Sequence, residues 1–505
     1  MVDNKRIAKN TFFLYFRMLF LMCISLYTSR IVLHTLGVTD FGIYNIVGSV
    51  VVMFSFISNA LVNTTKRFIN FDLGKKEISE LKKTFSLIFS IHVLICVIIV
   101  ILLESIGVWY LNYKLNVPPD RIIAANWVFQ FSVISACIGI VGSPFEATII
   151  AYEKMSIYSY ISIIEGVAKL LIVYLLTIVD FDRLIFYAAL ILIISISINF
   201  YKWFYCKKKF EIIQFKLIWD KEKFLSIISF SGWSLFGQLA YIASSTGLNL
   251  IANYFIGVII NATIGIAQQV NGAINKFVGG FQTAFSPQLI QTYSSNHLAD
   301  HRMLINRASR ISFFLIYFLS LPILCNTDYI LNLWLIEVPE KSAIIIRLII
   351  ISSMIEAVVT PLWMSMQAIG NIKKYQLTIS SLNILNVPIS FALLYIGFQV
   401  EIMFIVNIFL SAIMFLYRMI YILPKVNYNI KCFFLDVLVP IAKIITLTCI
   451  SIYPIYQILL KSSLNNHCIH IILILSTLII TLIAIVIFGL TKNEKTLVYK
   501  KIARK

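Results

Sequence analysis

The chain is a succession of long apolar segments separated by short polar gaps. Fourteen segments reach about the 20 residues that a helix needs to cross a hydrocarbon core roughly 30 Å thick. They lie near 11–33, 41–63, 84–110, 122–150, 157–179, 184–205, 224–250, 257–290, 310–336, 342–370, 374–396, 401–421, 435–460 and 469–490. Segment 257–290 is long and unusually polar. The pattern predicts an all-α integral membrane protein of about 14 transmembrane helices. Segment 11–33 lacks a small-residue cleavage site, so it is expected to remain as the first span rather than act as a removable signal peptide.

Composition agrees and excludes a soluble chain: 60% of the 505 residues are hydrophobic and only 13% charged, with a mean hydropathy of +0.89. Charge then orients the spans. Of 42 Lys and Arg, 31 occupy alternate gaps and the two tails, and the intervening gaps hold only Lys114, Arg121, Arg183, Lys341 and Lys461. Basic gaps stay in the cytoplasm, so both termini are expected there. The net charge of +19 is therefore read as a topology signal with an attraction to anionic membrane lipid, and no nucleic-acid partner is expected. Eight Cys are scattered, mostly in apolar segments, without metal-binding or redox spacing, so neither a metal site nor a disulfide framework is expected.

The chain also repeats itself weakly. The stretch SPFEATIIAYEKMSIYSYISIIEG from Ser143 aligns without gaps on TPLWMSMQAIGNIKKYQLTISSLN from Thr360, pairing Pro144 with Pro361, Ala151 with Ala368 and Tyr158 with Tyr375 at an offset of 217. Segment 41–63 likewise answers 257–290 at an offset near 220. This predicts a six-helix lobe over 1–205, a basic cytoplasmic linker over 206–223, a second six-helix lobe over 224–421, an added helix pair over 435–490 and a basic tail over 491–505. Six helices per repeat make the lobes parallel, related by a pseudo-twofold axis along the membrane normal, with a cavity between them.

Six cations remain inside the apolar segments: Arg17, Arg30, Lys169, Lys276, Arg347 and Lys443. A charge near the bilayer centre costs about 2.5–3.5 kcal/mol on insertion scales, which makes each a candidate for function. Arg17, Arg30, Arg347 and Lys443 lie toward segment ends and can snorkel. Lys169 and Lys276 sit nearest the midplane. Lys169 follows Glu165 by one turn, so the two either neutralise each other on one helix face or line a cavity. Lys276 has no acid within a turn. Beside it, Gln268, Asn271, Asn275 and Gln282 fall on one helical face, suited to interhelical packing or to a wet cavity wall. Glu356, the most central acid, lacks a cation on its own helix face. It is expected to pair across helices or to bind a proton. Glu165 and Glu356 are the candidate ion-coupling carboxylates.

The stretch TSRIVLHTLGVTDFGIYNIVGSVVVMFSFISNALVNTTKRFINFDLGK, residues 28–75, resembles the start of the polysaccharide transport family, the Wzx-type O-antigen flippases of the MATE-like (MOP) exporter superfamily. ESIGVWYLNYKLNVP (104–118) and SPFEATIIAYEKM (143–155) are similar to that family too. The resemblance implies a multi-pass protein of the bacterial inner membrane that flips undecaprenyl-diphosphate-linked oligosaccharide to the outer leaflet, for O-antigen, capsule or a related glycan. It implies no cofactor, alternating access driven by a proton or sodium gradient, and contact with polysaccharide assembly proteins. Arg17, Arg30, Lys169 and Lys276 would face the diphosphate, and the amides Gln268, Asn271, Asn275 and Gln282 the sugars. Some MATE-type exporters carry a coupling acid on the first helix, but residues 11–33 contain none. Two other readings are a cation-coupled multidrug exporter and a membrane polymerase or ligase. The outside gaps, none longer than roughly a dozen residues, argue against an enzyme.

Overall fold

The computed structural model describes residues 4–495 except 53–54, 116, 177, 179–181, 214–219, 336, 462–464 and 492–493. The side chains of 4–8, 25–26, 29–30, 33–34, 38, 45–46, 49–52, 55–56, 258 and 460 also lie outside the described residues. The described regular elements are all helical, and eleven helices are long and apolar enough to cross a membrane. This is a multi-pass membrane protein.

The chain divides into two compact units, residues 3–239 and 240–505, with the division inside a helix. The first unit starts with α1 (Asn4–Val52), which contains a break at Gly37, where φ is 78°. Only glycine adopts that backbone cheaply, so segments 11–33 and 41–63 follow each other across a single tight turn. Then come α2 (Ser55–Lys75), α3 (Ile78–Tyr113), α4 (Ile122–Ala151), α5 (Met155–Leu176) and α6 (Arg183–Lys209). Helix α7 (Lys221–Ile256) carries the division between units. Gly257, with φ 100°, separates it from α8 (Val258–Ser294), the counterpart of the Gly37 turn. Segment 257–290 is therefore one helix, but its polar stripe keeps it out of the eleven most apolar spans.

The second unit continues with α9 (Leu298–Cys325), the short α10 (Thr327–Trp334), α11 (Ser342–Ile369), α12 (Lys373–Tyr395) and α13 (Glu401–Ile422). The last pair, α14 (Ile430–Leu459) and α15 (Asn466–Gly489), packs on α9. Tyr317 and Thr448 share a hydroxyl hydrogen bond of 2.6 Å. At the end of α15, Gly489 lies so close to Phe314 and Ile444 that a Cβ would meet them at 2.9 and 2.8 Å. Beyond the helix, Glu494 accepts from Arg310 at 3.0 Å, tying the chain after α15 back to α9.

Within each unit, one helix pair is held by ion pairs at both ends. At the outer end, assigned by the charge pattern, Arg121 precedes α4 and forks between Asp40 and Asp182, each at 2.6 Å. Asp182 also caps α6 by accepting from the backbone N–H groups of Leu184 and Ile185. At the inner end, Lys202 of α6 meets Glu146 of α4 at 2.6 Å. The second unit repeats the scheme with other residues. Lys341, which caps α11, bonds Gln399 and Glu401 at the start of α13, both at 3.1 Å. Arg418 of α13 meets Glu356 of α11 at 2.9 Å. Both bridged helices, α4 and α11, contain the repeat prolines Pro144 and Pro361.

The outer bridge of the first unit has a pH signature. Partial burial opposes charge on Asp182, but the Arg121 fork and the two backbone donors outweigh it and hold its carboxyl below the ordinary aspartate range. A depressed carboxyl contributes its full stability above about pH 4, and that contribution fades as pH falls through the lowered value. Thermal unfolding in detergent should therefore show wild-type protein losing stability below about pH 4. Arg121→Ala should start lower and depend less on pH across that window; an unchanged pH profile would exclude the bridge as its source.

Candidate functional site

In the first unit, one face of α5 carries Tyr158, Ser162, Glu165 and Lys169, spaced four, three and four residues apart. Ser162, Glu165 and Lys169 line a cavity of about 450 Å³ with Thr28 of α1 before its break, Tyr44 after it, and Tyr187 of α6. The close approach of α1 to α5 depends on Gly166, where a Cβ would lie 2.5 Å from Leu21. Glu165 and Lys169 form the i,i+4 pair that their spacing suggests, at 2.6 Å, and both remain partly exposed to the cavity.

Arg17 enters this stripe from α1. Its guanidinium donates to the Ser162 hydroxyl at 3.2 Å and lies 4.4 Å from the centroid of the Tyr158 ring. No carboxylate among the described residues is within ion-pair distance of it, and its Nε is buried without an acceptor. Toward the inner end, Tyr158 shares its electrostatic surroundings with Glu146 and Lys202, and Lys66 stands within reach of Glu146 as well. Among the described residues on this side of the unit, the cations Arg17, Lys66, Lys169 and Lys202 thus outnumber the acids Glu146 and Glu165. A site of this kind attracts an anion: the guanidinium offers directed donors and the lysines mobile point charges.

The second unit presents its polar groups on α8, α11, α12 and α13. Asn275 donates to Asn271 at 2.9 Å and to Ser353 of α11 at 3.5 Å, and Gln282 donates to Ser312 of α9 at 3.3 Å. These three amides are therefore at least partly packing groups, whereas Gln268 is exposed. Lys276 is exposed too, with no ion pair among the described residues. A polar ladder continues through the neighbouring helices. Asn407 donates to Ser352 at 2.9 Å, Ser352 and Ser411 lie 3.2 Å apart, and Asn386 donates to Asn407 at 3.3 Å.

Glu356 finds its cation across helices in Arg418, whose guanidinium also stands 6.0 Å from the Tyr375 ring. Arg418 is only 8% exposed, although its sequence position groups it with the cytoplasmic gap that follows α13. The repeat tyrosines Tyr158 and Tyr375 thus each sit beside an arginine, Arg17 and Arg418. Of the remaining embedded cations, Arg347 is engaged by Asp328 at 2.8 Å and Thr327 at 3.1 Å. Lys443 is exposed on α14. The side chain of Arg30 lies outside the described residues.

No protein-family model and no curated protein matches the sequence. Solved structures match the fold. An outward-facing multidrug resistance MATE family transporter of the MOP superfamily superposes with a TM-score of 0.67 at 15% identity, over 84% of this chain and 97% of its own. The Vibrio cholerae MATE transporter VcmN in its bent form gives 0.67 at 16% identity, over 86% and 98%. A MOP superfamily transporter from Pyrococcus furiosus, described as having a binding pocket of reverse polarity, gives 0.68 at 15% identity, over 84% and 97%. The fold is MATE-like.

The Glu356–Arg418 pair yields a stability test. Arg418→Met leaves the carboxylate without its cation and should cost roughly 3 kcal/mol. Adding Glu356→Gln should return most of that, because neither ion then remains. Thermal unfolding of the two variants beside wild type checks this; no recovery in the double variant would show that Arg418 acts through packing alone.

Proposed function

We propose that this protein is a transporter, not an enzyme, which flips undecaprenyl-diphosphate-linked oligosaccharide from the inner to the outer leaflet of a bacterial cytoplasmic membrane. The observation that carries the reading is Arg17, a cation within an apolar segment that bonds Ser162 of the cavity wall and has no carboxylate partner among the described residues. Holding an unopposed charge in hydrocarbon is costly, and an anionic cargo is what would offset it. In the first unit Arg17, Arg30 and Lys169, and in the second unit, taken by itself, Lys276, are the charges proposed for the diphosphate. Gln268 and the free faces of Asn271, Asn275 and Gln282 take sugar hydroxyls.

Glu165 and Glu356 are the coupling acids in this reading, and a proton or sodium gradient drives alternating access. Protonating Glu165 releases Lys169, and protonating Glu356 releases Arg418. One event at each acid therefore both removes a negative charge and frees a positive one. Such a switch couples ion binding to anion affinity with no other moving part. The glycan unit would belong to O-antigen, capsule or a related polymer, handed on by assembly proteins of the same pathway. The weak family resemblance of residues 28–75, 104–118 and 143–155 supports that cargo class.

A second reading, a cation-coupled multidrug or small-molecule exporter of MATE type, is favoured by the fold likeness to a multidrug resistance MATE transporter and by Glu165 in the cavity. Reconstitution separates the two. In liposomes, the protein should move a fluorescent polyprenyl-diphosphate oligosaccharide between leaflets, and Arg17→Ala or Lys276→Ala should slow this at least about tenfold, the loss of one charge-assisted contact. Both variants should insert and unfold like wild type. Movement of an organic cation with no movement of the lipid-linked sugar would establish the second reading instead.

A further inference from the structure

The first unit carries another concavity, on α3, α4 and α6, apart from the residues assigned to the cargo. It has a volume of about 580 Å³, and its wall includes Phe89, Val141, Gly142, Phe145, Asn199 and Trp203. The wall is apolar apart from Asn199, and that amide is already engaged. Its Nδ2 donates to the Ser195 carbonyl at 2.9 Å, and its Oδ1 packs so tightly on Gly142 that a Cβ there would come within 2.0 Å. An apolar groove on three membrane-spanning helices faces acyl chains, not water.

Its inner end is different. Lys207, in the last turn of α6, is one helical turn beyond Trp203 and sits with its ammonium 5.0 Å from that ring's centroid. Lys82 lies two turns before Phe89 on α3, on the same helical face. It has no ion pair among the described residues, whereas its neighbour Lys83 is taken by Glu80 at 2.9 Å. The charge pattern assigns both lysines to the cytoplasmic side. The groove therefore has the Trp203 indole with Lys207 on its inner side, and Lys82 follows on the α3 face that carries Phe89, toward the depth where tryptophan and basic side chains meet headgroups.

We propose that this groove is a binding site for an anionic phospholipid of the inner leaflet, with one acyl chain against Phe89, Val141 and Phe145 and the phosphate between Lys82 and Lys207. The chain satisfies the apolar wall and the headgroup satisfies the two cations. A zwitterionic lipid supplies the first without the net charge that the second selects. The site lies wholly within residues 3–239 and does not depend on the flippase reading.

The test uses contact quenching of tryptophan by brominated acyl chains. The full chain is reconstituted in vesicles of zwitterionic lipid containing increasing brominated phosphatidylglycerol or brominated phosphatidylcholine. The Trp203 signal is taken as the difference from Trp203→Phe. Half-maximal quenching should need about tenfold less phosphatidylglycerol than phosphatidylcholine. Lys82→Ala with Lys207→Ala should abolish that preference, and Lys82→Arg with Lys207→Arg should keep it. Equal quenching by both lipids would overturn the proposal, as would a preference that survives loss of both lysines. So would displacement of phosphatidylglycerol by a hundredfold lower concentration of polyprenyl phosphate, which would reassign the groove to the cargo. Transport is not measured, so this outcome is separate from that of the flipping assay.

Discussion

A carboxylate placed within the hydrocarbon layer must find a partner, and the architecture of each unit follows from how that demand is met. Glu146 and Glu356 cannot be solvated by lipid, and each is matched by a cation from another helix, Lys202 at 2.6 Å and Arg418 at 2.9 Å. The same helices are joined at their other end by Arg121 with Asp182 and by Lys341 with Glu401. Helices α4 and α6, and likewise α11 and α13, are thus fixed in register along their length. Removing one partner leaves a costly bare charge, which makes these bridges specific as well as attractive. The scheme occurs in both units, with its carboxylates at different positions along the bridged helices.

Against this background of pairing, the unpaired cations stand out. Arg17 leans on an aromatic ring and a hydroxyl, and Lys276 projects from α8 with no acid near it among the described residues. Among the described embedded cations, Lys169 and Arg347 are paired with acids, whereas Arg17, Lys276 and Lys443 are not, which leaves positive potential within the spanning segments. Potential of that sign concentrates anions and repels organic cations. The MATE-like fold supplies the frame, and the sign of the unpaired charge is the ground for the anionic cargo proposed above.

Much of this was legible in the sequence, and what was not has a common cause. The fold class and the succession of apolar spans follow from hydropathy and spacing, which are local properties, whereas the turns at Gly37 and Gly257 were not singled out. The Glu165–Lys169 pair was readable because its members are one helical turn apart. Arg418 and Lys202 were not, because their acids lie 62 and 56 residues away, and both cations look like members of basic cytoplasmic gaps. The advance signal was the repeat, since Tyr158 and Tyr375, which it pairs, each lie beside an arginine. The polar stripe of α8 was recognised as a face, but its division into packing amides and the exposed Gln268 depended on Ser312 and Ser353 from other helices.

The central claim is that the unpaired cations recognise a diphosphate, and ligand-induced stabilisation tests it most directly. Unfolding midpoints of the purified protein would be compared with a polyprenyl-diphosphate sugar, the corresponding uncharged polyprenol and an organic cation. The account predicts a rise with the diphosphate lipid alone, lost in Arg17→Ala. A rise with the organic cation and none with the diphosphate would contradict it.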